Sequence, residues 1–237
     1  MAVEAGLNGD RTRAEHPAVP QTPAELAADA IAVRNTGAFA VHVHPRDARG
    51  AQTMKPAACD AAVAAIRAAA RGLPVGLCTS QTIDPDPFAR AAAVASWRQR
   101  PDFVSVNLCE LGWAGIVRAA LRADIGVEAG LVTRADAQAL TRSPFTHQVL
   151  RALVEVEGGA EEARAIAELI PDGIAQLWHG YGERTWEVVA AGAAAGCDIR
   201  IGLEDVLTLP GGRLAESNAE LVAAAVELIM PSGESSA

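Results

Sequence analysis

Side chains able to do chemistry gather in two short stretches. In "VHVHPRD", residues 41–47, His42 and His44 stand one residue apart; in "DIRIGLED", residues 198–205, Arg200, Glu204 and Asp205 crowd together. Strand side chains two apart face the same way, about 6–7 Å apart along the chain, so the two imidazoles share a face and Val41 and Val43 take the other. Imidazoles so placed can close on one metal ion at about 2.0–2.1 Å each. A pair of buried histidines satisfied by hydrogen bonds accounts for the bare motif equally well. In the second stretch Arg200, Gly202 and Glu204 share one face and Ile201 and Leu203 the other. An Arg and a Glu turned inward are costly to bury without partners. If Glu204 joins the histidines, two imidazoles and a carboxylate leave positions open for substrate or water, the usual form of a catalytic zinc site. An Arg200–Glu204 ion pair without metal is the alternative. Asp205 follows where strand gives way to loop, and reads either as a general base beside the metal or as a cap.

The elements that must position these residues alternate along the whole chain. Eight short β-type runs are visible: "AVEAGLN", "FAVHVHP", "PVGLCT", "FVSVNL", "GVEAGL", "VLRALVEV", "AQLWHG" and "DIRIGL". Between and after them, apolar residues three and four apart predict helices over 23–36, 56–71, 86–99, 113–123, a shorter 133–141, 160–169, 184–195 and 215–230. Pro23 and Thr133 read as helix starts, and "NTG", "RGLP" and "AGCD" as helix ends. Eight such units in 237 residues predict an α/β fold, a (β/α)8 TIM barrel, as one domain over 1–237 with a frayed tail from about 231. A doubly wound sheet is the alternative, but no GxGxxG follows the first strand. In a barrel, catalytic groups come from the C-terminal ends of strands, and alternate strands supply one interior layer, so strands two and eight can bring His42, His44 and Glu204 together.

Half of the residues are hydrophobic, enough for one sizeable core, and the formal net charge is -9. That balance argues against a nucleic-acid or anionic-membrane binder, both of which need clustered Lys and Arg. Cys59, Cys78, Cys109 and Cys197 lie far apart with no CxxC pair, which predicts reduced thiols in the cytoplasm. The N-terminal stretch has no long apolar core after a basic start, so no signal peptide is expected. The Ala-rich segments are broken by charge and fit amphipathic helices better than a membrane span.

"VHVHPRD" together with "RIGLEDVLTLPGGRLAESNAELV" resembles the β-keto acid cleavage enzyme family. The resemblance extends to "LNGDR", "PVGLCTS", "VNLCE", "GVEAGL" and "LWHG", in order over nearly the whole chain. It implies a zinc-dependent barrel, often a homo-oligomer, that condenses a β-keto acid with acetyl-CoA and releases acetoacetate and a new CoA ester. It implies His42, His44 and Glu204 as metal ligands, Asp205 as the base, and Arg200 as the residue that orients and tunes that base. No phosphate cradle is visible, so acetyl-CoA is implied by the resemblance alone.

For substrate binding the resemblance points to Cys78, Thr79, Ser80, Asn107, Glu128 and Asn8. Glu110 and His179 are further candidates, with backbone hydrogen bonding or a structural role as the alternative for each. Arg46 and Asp47 read as a loop ion pair. Strand three departs from the family pattern: Cys78-Thr79-Ser80 stands where many relatives have Ser-Thr-Gly, and a thiol is a poorer hydrogen-bond partner than a hydroxyl. A metal-dependent hydrolase, or a retro-aldol lyase that needs no CoA, is the competing reading of the same residues, and a non-catalytic barrel the third.

Overall fold

A computed structural model describes residues 1–230; the expected frayed tail lies outside the described residues. Eight parallel strands close into a barrel in chain order: β1 (Val3–Gly6), β2 (Ala38–Val43), β3 (Val75–Cys78), β4 (Phe103–Asn107), β5 (Gly126–Leu131), β6 (Arg151–Val156), β7 (Gln176–Gly180) and β8 (Asp198–Ile201). Helices α1 (Pro23–Asn35), α2 (Pro56–Ala69), α3 (Pro87–Ser96), α4 (Trp113–Arg122), α5 (Arg134–Arg142), α6 (Ala160–Ala167), α7 (Thr185–Ala194) and α8 (Asn218–Ile229) follow them one by one. The fold is the expected (β/α)8 barrel. β1 pairs with both β2 and β8, with one register slip between Val3 and Glu4.

Local signals set the helix ends. Pro23 opens α1 behind Thr22, whose side chain and Glu25 form a reciprocal capping box; Thr133 and Asp136 do the same for α5. The turns after α1, α2 and α7 pass through Gly37, Gly72 and Gly196 at φ 109°, 81° and 76°, where a Cβ would be strained. Outward strand residues such as Val41, Val43, Val75, Leu77, Val104 and Val106 are buried beneath the helices and form the main core.

Strand eight is shorter than its sequence pattern predicts. It ends at Ile201 because Gly202 lies flat against β1: a Cβ there would fall 1.9 Å from the Gly6 carbonyl oxygen. The amide oxygen of Asn218, at the start of α8, accepts from Leu203 N at 2.6 Å, while its Nδ2 donates to the Leu7 carbonyl at 2.8 Å and to Asp29 at 2.6 Å. The chain therefore turns, with Asp205 N and Val206 N both donating to the Gly202 carbonyl. The turn lets Glu204 and Asp205, adjacent in sequence, both reach inward.

A candidate metal centre at the barrel mouth

At the C-terminal ends of the strands a cavity of about 520 Å³ opens, lined in part by His42, His44, Cys78, Ser80, Asn107, Arg200 and Glu204. His42 Nε2 lies 3.2 Å from His44 Nε2, and Glu204 Oε1 is 3.3 Å from His44 Nε2 and 3.8 Å from His42 Nε2. Four ligands about 2.05 Å from an ion stand about 3.3 Å apart along a tetrahedron's edges. The three side chains therefore fit a divalent cation with small adjustments.

The surroundings hold them in that pose. His44 Nδ1 meets Gln52 Oε1 at 2.5 Å, which turns Nε2 toward the cavity. Asn8 grips the backbone of His44 from both sides: its Oδ1 accepts from His44 N at 2.9 Å, and its Nδ2 donates to the His44 carbonyl at 2.9 Å. Below His42, the carboxylates of Glu4 and Glu128 come within 4.8 Å of its ring, and His42 Nδ1, Glu4 Oε1 and Glu128 Oε2 all lack hydrogen-bond partners. Burial pushes the His42 pKa well below the usual histidine range. Burial also acts against a charged His44, but Cys78 and Glu204 outweigh it and hold its pKa well above that range.

Arg200 closes one wall. Its guanidinium pairs with Glu204 and donates to Asp205 Oδ1 at 2.9 Å. Burial opposes ionisation of Glu204, yet Arg200 and the two imidazoles overcome this and hold its carboxyl well below the usual range. Asp205 is fully buried behind that guanidinium, with His179 Nδ1 at 3.2 Å on its other side. His179 Nε2 in turn faces Glu155 Oε2 at 3.5 Å, and Tyr181 donates its hydroxyl to the same oxygen at 3.0 Å. Burial, then Glu155, raises the Tyr181 pKa well above its ordinary value, so the phenol stays a donor.

Three residues expected at a substrate are elsewhere. Asn8 is fully buried and its amide is occupied by backbone, including the Pro20 carbonyl at 3.1 Å. Thr79 is buried and donates to the Ser105 carbonyl at 2.6 Å. Glu128 lies one layer down, bound to Arg151 Nε at 2.6 Å. All three shape the site from behind its wall: Asn8 and Thr79 are held by backbone carbonyls, and Glu128 is held through one oxygen by Arg151. Glu110 likewise serves the frame: buried Arg90 pairs with it, and its Oε1 accepts from Ser80 Oγ and Gln81 N, each at 3.0 Å. The expected Arg46–Asp47 ion pair does not form among the described residues. Arg46 donates to the carbonyls of Gly9 and Arg11, each at 2.8 Å, and Asp47 accepts from Arg49 N and Ala51 N.

Sequence reasoning passed over Glu155, Tyr181 and Gln52, all of which line the cavity. Glu155 had a signal: in "VLRALVEV" it alternates with Leu153 and Arg151, so an acid was bound to share the inward face. Gln52 had none, since it arrives from the loop after β2.

Comparison with known proteins agrees with this architecture. A family model described as "beta-keto acid cleavage enzyme" matches residues 1–157 and 138–237, together the whole chain. The chain is 25% identical over 248 residues to the 3-keto-5-aminohexanoate cleavage enzyme of Fusobacterium nucleatum subsp. nucleatum, covering 96% of this chain and 90% of that one. Among solved structures, apo ObcA and its binary complex with oxaloacetate superpose with TM-score 0.71 at 18% identity, over 89% of this chain. This chain spans about three fifths of ObcA's length, 61% in the apo form. The 3-hexulose-6-phosphate synthase of Salmonella typhimurium matches with TM-score 0.58 at 14% identity over 97% of this chain and 98% of that one. At such identities both show the shared barrel alone.

Proposed function

The chain belongs to the β-keto acid cleavage enzyme family, and from that premise we propose that it condenses a β-keto acid with acetyl-CoA, with zinc at His42, His44 and Glu204, to give acetoacetate and a new acyl-CoA ester. The observation that carries this reading is the convergence of three donor atoms within 3.2–3.8 Å of one another at the floor of an open cavity. A divalent ion bound there supplies Lewis acidity, which makes the C–H between the two carbonyls of a β-keto acid far easier to deprotonate.

The chain's own residues do the rest. Asp205 is the base. It is fully buried and its Oδ1 is held by the Arg200 guanidinium, so abstraction requires that guanidinium to turn toward the bound substrate's carboxylate and free Asp205 Oδ1. Arg200 thus exchanges one carboxylate for another without losing its charge balance. His179, between Asp205 and Glu155, gives the abstracted proton a route toward the Glu155 carboxylate on the cavity wall. Ser80, Cys78 and Asn107 line the space for the keto acid.

A cytoplasmic homo-oligomer is part of this reading. It is supported by four free cysteines and by Phe88 and Leu111, 84% and 76% exposed on neighbouring top-face segments. Among the described residues no helix is long and apolar enough to cross a membrane.

The test is acetoacetate formation from a panel of β-keto acids, an amino-bearing one among them, with and without acetyl-CoA. Product only with acetyl-CoA supports the reading; equal consumption without it favours a hydrolase or retro-aldol lyase. Elemental mass spectrometry should find about one zinc per chain, lost in the His42→Ala/His44→Ala variant.

A further inference from the structure

Resting on the reading of the mouth as a metal centre, we propose that Cys78 is itself a ligand of the resting metal, a fourth donor beside His42, His44 and Glu204. Its Sγ and one ring nitrogen from each of His42 and His44 all lie within 4.8 Å of one another, and all three residues are buried. A tetrahedral nitrogen–sulfur edge around zinc is about 3.6 Å, given Zn–N near 2.05 Å and Zn–S near 2.3 Å, so neither nitrogen–sulfur separation exceeds that edge by more than about 1.2 Å.

Ser80 N donates to Cys78 Sγ at 3.4 Å, the kind of backbone contact that steadies a sulfur ligand from behind. Ligation forms one metal–sulfur bond and breaks the S–H bond, releasing one proton to solvent for each ion taken up.

The consequence reaches the chemistry. Two imidazoles, a carboxylate and a thiolate fill a tetrahedral ion and neutralise its charge, so a β-keto acid enters only by displacing the sulfur or by adding a fifth ligand. A soft donor also biases the site toward zinc and cobalt and away from magnesium and manganese.

Cobalt(II) in place of zinc tests this directly, because a cysteine thiolate on cobalt gives a near-ultraviolet charge-transfer band that nitrogen and oxygen ligands do not. The wild-type protein with one cobalt per chain should show that band. The Cys78→Ser variant should lose it and bind zinc at least roughly tenfold more weakly in chelator competition, since loss of a direct ligand costs no less than loss of an outer-shell partner. Cobalt bound without the band, or a band that persists in Cys78→Ser, overturns the assignment of Cys78 while leaving the metal centre standing. No cobalt uptake at all overturns the metal centre and the proposal with it. A second measurement needs no variant: iodoacetamide followed by peptide mass mapping should label Cys78 only after chelation. Equal labelling with and without metal overturns the proposal.

Discussion

Two guanidiniums inside this barrel each sit between two carboxylates, one layer apart. In the floor, Arg151 donates to Glu4 Oε2 at 2.9 Å and to Glu128 Oε1 at 2.6 Å, and lies over the rings of Phe39 and Phe103 at 4.8 and 5.3 Å. At the mouth, Arg200 holds Glu204 and Asp205. The floor meets its excess negative charge with a proton: burial and the adjacent Glu128 hold the Glu4 pKa well above the carboxylate range. The mouth keeps Glu204 ionised and so calls for a second cation, supplied by a metal ion or by a proton on His44. The same kinds of group thus make a closed knot in one layer and line an open cavity in the next. What separates them is access to an open cavity and the presence of further donors.

The sharpest way to break this contrast is Asp205→Asn. If the mouth cluster is catalytic, kcat for acetoacetate formation falls by about 10²–10⁴-fold, the range for a lost general base, with metal content by elemental analysis unchanged. Activity within a factor of a few of wild type would make the upper knot structural too. Next comes the exchange of one guanidinium at a time. Arg151→Met leaves the buried Glu4–Glu128 pair without its cation and should lower unfolding stability by about 3–5 kcal/mol in a denaturant titration. Arg200→Met should be read mainly in turnover and metal affinity, since a bound ion can still neutralise Glu204. If both variants lose only stability, the two layers do not differ in kind.

The smallest effect comes from a carboxylate with no guanidinium. Asp29, half-buried beside Asn218 Nδ2, is pushed up to about 6 by burial. Its folded pKa is above its unfolded value near 3.8. Its share of the stability is therefore fully present below about pH 4 and is lost as pH rises through about 6. Asp29→Asn should flatten that part of the stability–pH profile by on the order of 1–2 kcal/mol, allowing for partial exposure. An unchanged slope between pH 4 and 7 would mean Asp29 is better solvated than its place between α1 and α8 implies.

Much of this molecule is legible in its sequence because its signals are local. The strand and helix periods, the Thr22 and Thr133 caps and the glycines ending α1, α2 and α7 each depend on a few neighbouring residues. The HxH pair and the Glu204–Asp205 pair were legible as inward-facing chemistry, though the turn at Gly202 that brings both acids inside depends on Gly6 and Asn218, far away in the chain. Partner choice was not legible. Nothing near Glu128 says that Arg151 will occupy it, and nothing near Asn8 says that its amide will clasp His44. Those pairings are set by which strands the closed barrel makes neighbours.

The placement of β1 between β2 and β8 also orders events in the protein's own assembly. His42 and Glu204 lie near opposite ends of the chain and meet across that seam only when the last strand has docked on the first. Such distant pairing is among the slowest kinds of contact to form. A half-made barrel therefore holds its histidines without their carboxylate; with the proposed metal at those three residues, only the finished barrel would bind it well, and binding would then favour the closed form by mass action. Metal uptake during refolding would thus serve as a clock for the moment the ring of strands becomes whole.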